Sequence, residues 1–64
     1  MTKKELETNA ARLVKEYGAD DLTAMSAAQN ADKLCLSAGI NPDNLDNAQQ
    51  WLDWFSSSLG SLTD

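Results

Sequence analysis

The sequence predicts a small all-α fold, a bundle of three helices within a single domain spanning residues 1–64. Three observations predict it. Apolar residues recur at steps of three and four in three separate stretches, the mark of helices with one buried stripe. Gly18, Gly39 and Gly60 each follow such a stretch, where a left-handed C-cap is wanted. Nine leucines, nine alanines and four aromatic residues supply material for a compact helical core.

The first helix is predicted over Lys3–Tyr17. Thr2 followed by Glu5 reads as a capping box, each side chain accepting from the other's backbone N–H. Leu6, Ala10, Leu13, Val14 and Tyr17 share one face, and Gly18 ends the element. Tyr17 is expected at the edge of the core with its hydroxyl in water.

The second helix is predicted over residues 22–38. Asp21 offers an early cap. Ser26 with Gln29 offers a later one, and a helix regular by Ala27 is expected. Ala24, Ala27, Ala28, Ala31, Leu34, Cys35 and Ala38 share one broad face. Small residues there let another helix approach closely, and the rings of the third helix are expected to lie over them. Leu22, Met25 and Leu36 point another way, toward helix one or into an exposed patch.

The third helix is predicted over residues 42–59, within NPDNLDNAQQWLDWFSSSLG. Asn41 reads as its N-cap and Pro42 as its first residue, where a missing N–H costs nothing. A later start with Asp46 as cap and Gln49 three residues on is the alternative. Leu45, Ala48, Leu52, Phe55 and Leu59 form the stripe, and Gly60 the stop. Trp51 falls on the flank of that stripe, and Trp54 further round toward Asp43, Asn47 and Gln50. The expected core is Leu6, Leu13, Val14, Ala28, Ala31, Leu34, Cys35, Ile40, Leu45, Leu52 and Phe55.

Sixty-four residues bury only about 60% of their unfolded surface, so a lone domain of this size is marginal. A single cysteine excludes an internal disulfide. The net charge of −5 is unevenly spread: residues 1–16 carry +1, and the chain from Tyr17 onward carries −6. That surface repels phosphate backbones and anionic membranes and suits a basic partner. The N-terminus has no apolar secretory segment, and no apolar run approaches membrane-spanning length. With a lone cysteine, these features predict a cytoplasmic protein.

Catalysis finds little to work with. There is no histidine, the commonest general base. Cys35 lies on the alanine face without a basic neighbour and reads as a small buried hydrophobe. NPDNLDN lacks the central glycine and terminal glutamate of a calcium loop. No enzyme activity, cofactor or metal site is predicted. The residues assigned to partner binding are Trp54, Trp51, Asp43, Asp46, Asn47, Gln50 and Asp53. They combine tryptophan, enriched at binding hot spots, with an acidic and amide-rich surround.

The segment LCLSAGINPDNLDNAQQW resembles a helix-turn-helix. Cys35 takes the small-residue position of the first helix, Gly39 the turn glycine, and Ile40, Leu45 and Ala48 the buried apolar positions. The resemblance covers about a third of the chain and implies a tight corner between helices two and three. The helix that would read DNA presents Asp43, Asn44, Asp46, Asn47 and Gln50, with no arginine or lysine to hold phosphates. Direct nucleic-acid binding is therefore disfavoured, and the pattern reads as architecture.

A short, acidic chain of this kind looks like the accessory proteins of bacteriophages and mobile elements, which bind one host protein. The functional expectation is a small acidic protein-binding module that inhibits or regulates a larger bacterial protein. The alternative is a nucleic-acid-related role, as an acidic DNA mimic or a degenerate helix-turn-helix regulator. Self-association as a homodimer is a further expectation, because Trp54, Leu22, Met25 and Leu36 exceed what one narrow core hides.

Overall fold

Helix boundaries in this chain are set by short side chains that bond to free backbone groups. In the computed structural model, which describes residues 1–64, α1 spans Lys3–Tyr17, α2 spans Asp21–Ser37 and α3 spans Ala48–Thr63. A short 3₁₀ turn, Leu45–Asn47, precedes α3. There are no strands, and the all-α three-helix class is as the sequence predicts. No helix is long and apolar enough to cross a membrane.

The capping box at Thr2 is present in both directions. Glu5 N–H donates to Thr2 Oγ1 at 3.1 Å, and Thr2 N–H donates to Glu5 Oε1 at 3.3 Å. Both α1 and α2 end in Schellman motifs. Gly18 sits at φ 64°, its N–H donating to the Lys15 carbonyl while Ala19 N–H reaches Val14. Gly39 sits at φ 74°, its N–H donating to Leu36 while Ile40 N–H reaches Cys35 at 2.8 Å. Both turns need a residue without Cβ strain at positive φ.

Helix α2 begins one residue earlier than expected, because neither Asp21 nor Ser26 caps it. Asp20 does, its Oδ1 accepting from Thr23 N–H at 2.8 Å.

The third helix departs more from expectation. It starts at Ala48 rather than at 42, and it runs through Gly60 to Thr63. Asn41, Asn44 and Asn47 explain the late start. Asn41 Oδ1 accepts from Asp43 N–H at 3.0 Å, and Asn44 N–H closes a β-turn on the Asn41 carbonyl at 3.2 Å. Asn44 is then extended (φ −82°, ψ 117°) and caps the 3₁₀ turn through Asp46 N–H. Asn47 Nδ2 donates back to the Asn41 carbonyl at 3.1 Å. Such local bonds offer the backbone an alternative to the helix, and here they win over residues 41–47. The connection between α2 and α3 is therefore residues 38–47, far longer than the three or four residues of a helix-turn-helix corner. The residues of that resemblance are present, but the tight corner it implies is not.

Helix α3 is the element on which both others pack, and α1 and α2 barely touch each other. The buried residues are Ala27, Ala31 and Cys35 of α2 with Ala48, Leu52, Phe55 and Leu59 of α3. The expectation that rings lie over an alanine face holds. Phe55 joins the fully buried Ala27 and Ala31 in one core cluster with Leu59, and Trp51 and Trp54 pack against that cluster. Trp51 and Phe55 also stack, with centroids 4.9 Å apart and planes 15° from parallel.

Two expected core positions are exposed, and Leu6, Leu13, Val14, Ala28 and Ile40 are only half-buried. Leu34 is 41% exposed, because α1 does not cover that side of α2. Leu45 is 38% exposed on the 3₁₀ turn. Helix α1 buries no residue fully, and its Leu13 and Val14 are half-buried against the core rather than within it. Tyr17 meets α3: its hydroxyl lies 3.1 Å from Ser56 Oγ, and its ring runs beside Gly60.

Candidate protein-interaction surfaces

The residues assigned to partner binding divide into two groups. Trp51, Trp54 and Asn47 are used inside the fold. Trp51 is half-buried, stacks on Phe55, and donates its indole N–H to the Asp32 carboxylate at 2.8 Å. Trp54, which lies off the main stripe of α3, is half-buried against the core cluster. Asn47 is half-buried and its side chain braces the loop through Asn41.

Asp43, Asp46, Gln50 and Asp53 are exposed. Asp43 and Asp46 bond through backbone N–H groups, to Asn41 and Asn44, which leaves their carboxylates to solvent. Asp53 accepts from Gln49 Nε2 at 3.0 Å across one helical turn. These four form a polar surface along the approach to α3 and its first turns.

Cys35 is fully buried, and burial pushes its thiol pKa up, with the nearby Asp32 charge adding to the rise. A raised pKa disfavours the thiolate that nucleophilic or metal chemistry needs. No group of three or more His, Cys, Asp or Glu side chains comes together as metal ligands. Depressions lie along α1, one of them where Lys3 and Leu6 face Pro42, Asp43 and Leu45. Another lies between α1 and α3, where Arg12 and Asp53 flank Leu13 and Leu52.

The outer face of α2 is different. Leu22, Met25 and Leu36 are 74%, 60% and 65% exposed. They fall within one narrow arc of the helix, opposite Ala27, Ala31 and Cys35. The two candidate coverings for this face were α1 and open solvent, and α1 packs on α3 instead. Scattered surface leucines are ordinary, and these three share one helix face with Gln29 and Lys33 between Met25 and Leu36. Reading the chain for tryptophan and carboxylate left these three out of the assigned site. Their signal was positional: they sit on the wrong side of an otherwise alanine-lined helix.

Comparison with protein-family models, with curated proteins and with solved structures finds no match to this chain.

Proposed function

We propose that this protein is a small acidic protein-binding module whose contact surface is the outer face of α2. One observation carries the reading: Leu22, Met25 and Leu36 stand exposed on a single helix face, while α3 buries its own stripe. Exposing three such side chains is unfavourable in water, since full burial of each is worth about 1.5–3 kcal/mol. A partner surface removes that penalty. The type of chain, short, acidic and without histidine, fits an inhibitor or regulator of a larger bacterial protein, of the kind bacteriophages and mobile elements encode. The geometry of α3 argues against direct duplex binding, because Ala48–Thr63 carries no lysine or arginine and Asp43 and Asp46 lie ahead of it.

The test is capture from a bacterial lysate with mass-spectrometric identification, run with three forms of the chain. Wild type is expected to retain one stoichiometric partner that survives moderate salt. Leu22→Ser/Met25→Ser/Leu36→Ser is expected to lose it. Asp43→Asn/Asp46→Asn/Asp53→Asn is expected to keep it. Undiminished capture by the α2 variant sinks the reading. Loss in the aspartate variant, with wild-type binding that collapses as salt rises, supports nucleic-acid mimicry instead, because charge pairing is screened.

A further inference from the structure

The fully buried residues of this chain all lie on α2 and α3: Ala27, Ala31, Cys35, Ala48, Leu52, Phe55 and Leu59. The Trp51–Asp32 hydrogen bond and the Trp51–Phe55 stack also lie within that helix pair. Removing α1 would break none of these contacts.

Helix α1 is held differently. It buries no residue fully, and it packs on the core through the half-buried Ala10, Leu13 and Val14. One side-chain hydrogen bond ties it to α3, between Tyr17 Oη and Ser56 Oγ at 3.1 Å, and that pair is open to water. Its ends are satisfied locally, by the Thr2–Glu5 box at one and by the Gly18 turn at the other. Residues 18–20 alone join it to α2. Sparse burial with locally satisfied ends marks an element that opens apart from the rest.

Charge acts on the same seam. Residues 1–16 carry +1 and residues 17–64 carry −6. Opposite charges face each other at two places between α1 and the α3 side. Lys3 and Asp43 share one depression, with Leu6, Pro42 and Leu45. Arg12 and Asp53 share another, with Leu13 and Leu52. Exposed charges of this kind attract weakly, and salt screens them. The acidic remainder gains from the same screening, because its carboxylates repel one another. Salt therefore loosens α1 without loosening α2 on α3.

We infer that α1 is a hinged flap, which lifts from α3 about residues 18–20 while α2 and α3 stay paired, and that the facing charges set how often it lifts. Lifting bares the α3 residues that α1 touches, Leu52, Ser56 and Gly60 among them. A basic partner surface that engaged Asp43 and Asp53 would compete with Lys3 and Arg12, and so would raise the open fraction. The flap is independent of whatever binds the outer face of α2.

Native-state hydrogen exchange of the full chain, read amide by amide by NMR, tests this. Amides of residues 7–17 are expected to exchange at least about 10-fold faster than the slowest amides of residues 52–59, after correction for intrinsic rates. Raising salt from about 0.02 M to about 0.5 M is expected to speed exchange in α1 about two- to fivefold, the size of weak surface pairs, without speeding it in residues 52–59. Asp43→Asn/Asp53→Asn lies outside α1 and leaves its helix propensity untouched. This variant is expected to speed α1 exchange at low salt by a similar factor and to flatten the salt dependence, with unchanged helicity by circular dichroism. If it loses helicity, the salt series on wild type decides alone. Exchange of α1 and of residues 52–59 at one common slowest rate overturns the flap. So does a variant that lowers protection in residues 52–59 as strongly as in α1, because the two then open together. Separate opening of α1 that neither salt nor the aspartate variant alters overturns the control by charge.

Discussion

Trp51 of α3 donates its indole N–H to the carboxylate of Asp32 on α2 at 2.8 Å, the one hydrogen bond between side chains of these two helices. The bond joins polar groups across the alanine–aromatic seam, and the same indole ring stacks on Phe55. Trp51→Phe keeps a ring for stacking and removes the donor. It is expected to cost about 0.5–1.5 kcal/mol, below the usual range for bonds to charged groups because the site is open to water. Asp32→Ala is expected to cost a similar amount, and the double variant less than the two together. A denaturant-unfolding cycle measures the coupling, and additive losses would mean that the bond contributes nothing to stability.

The three glycines are expected to respond oppositely to alanine. Gly18 and Gly39 hold φ 64° and 74°, so Gly18→Ala and Gly39→Ala each cost about 1–2 kcal/mol through backbone strain. Gly60 lies inside α3 with ordinary helical φ. An added Cβ there would stand 3.5 Å from Tyr17 Cε1, an ordinary contact distance. Gly60→Ala is therefore expected to stabilise by about 0.5–1 kcal/mol, from helix propensity alone. Thermal melts of the three variants check both signs, and a lower melting temperature for Gly60→Ala would show that Tyr17 needs the space.

Asp20 should make folding sensitive to acid. Its carboxylate caps α2, and the hydrogen bonds from Thr23, backbone first and then side chain, hold its pKa below the usual carboxylate value. For a depressed carboxylate, the stabilisation is present above the unfolded pKa of about 3.9 and is lost as pH falls through the lower folded value. Asp20→Asn retains a capping oxygen but cannot titrate. Its stability is expected to fall less steeply than wild type as pH drops below about 4. Parallel acid titrations followed by circular dichroism compare the slopes, and equal slopes would remove Asp20 from the acid response.

Cys35 is expected to be inert while the chain is folded. Burial raises its pKa, and the Asp32 charge adds to the rise. Modification by a thiol reagent at pH 8 should proceed only through opening of the α2–α3 seam, and should accelerate sharply in denaturant. The raised pKa also has a stability consequence. The stabilisation is full below the unfolded value of about 8.5 and falls as pH rises toward the folded one. Modification of the native protein at the rate of a free thiol would contradict the packing at Ala31 and Cys35.

Overfilling the seam is expected to be more damaging than altering the surface. Ala31 is fully buried beneath the α3 rings. Ala31→Leu adds three heavy atoms where no space remains and is expected to cost about 1–3 kcal/mol or more. Leu36→Ser, on the outer face of α2, is expected to leave monomer stability within about 0.5 kcal/mol of wild type. Chemical denaturation at low protein concentration checks the contrast, and a large loss in Leu36→Ser would mean that this face is packed in the monomer.

The helical class, the full extent of α1, and both glycine stops at Gly18 and Gly39 were legible in the sequence. These rest on interactions within a few residues: the Thr2–Glu5 reciprocal cap, the left-handed turns and the three-and-four spacing. Also legible was that the alanine face of α2 would receive the rings of α3, since only small residues admit so close an approach. Where local signals compete, the sequence was ambiguous. Asn41, Asn44 and Asn47 each offer a cap, and the stripe from Leu45 to Leu59 has the same spacing whether or not its first turn is α-helical. The docking of α1 on α3 at Tyr17, Ser56 and Gly60, which leaves the outer face of α2 uncovered, was settled by tertiary contacts alone. That choice took Trp51 and Trp54 into the packing and left Leu22, Met25 and Leu36 in water. A helical period fixes which side chains share a face, but which face meets another helix depends on contacts between residues far apart in the chain.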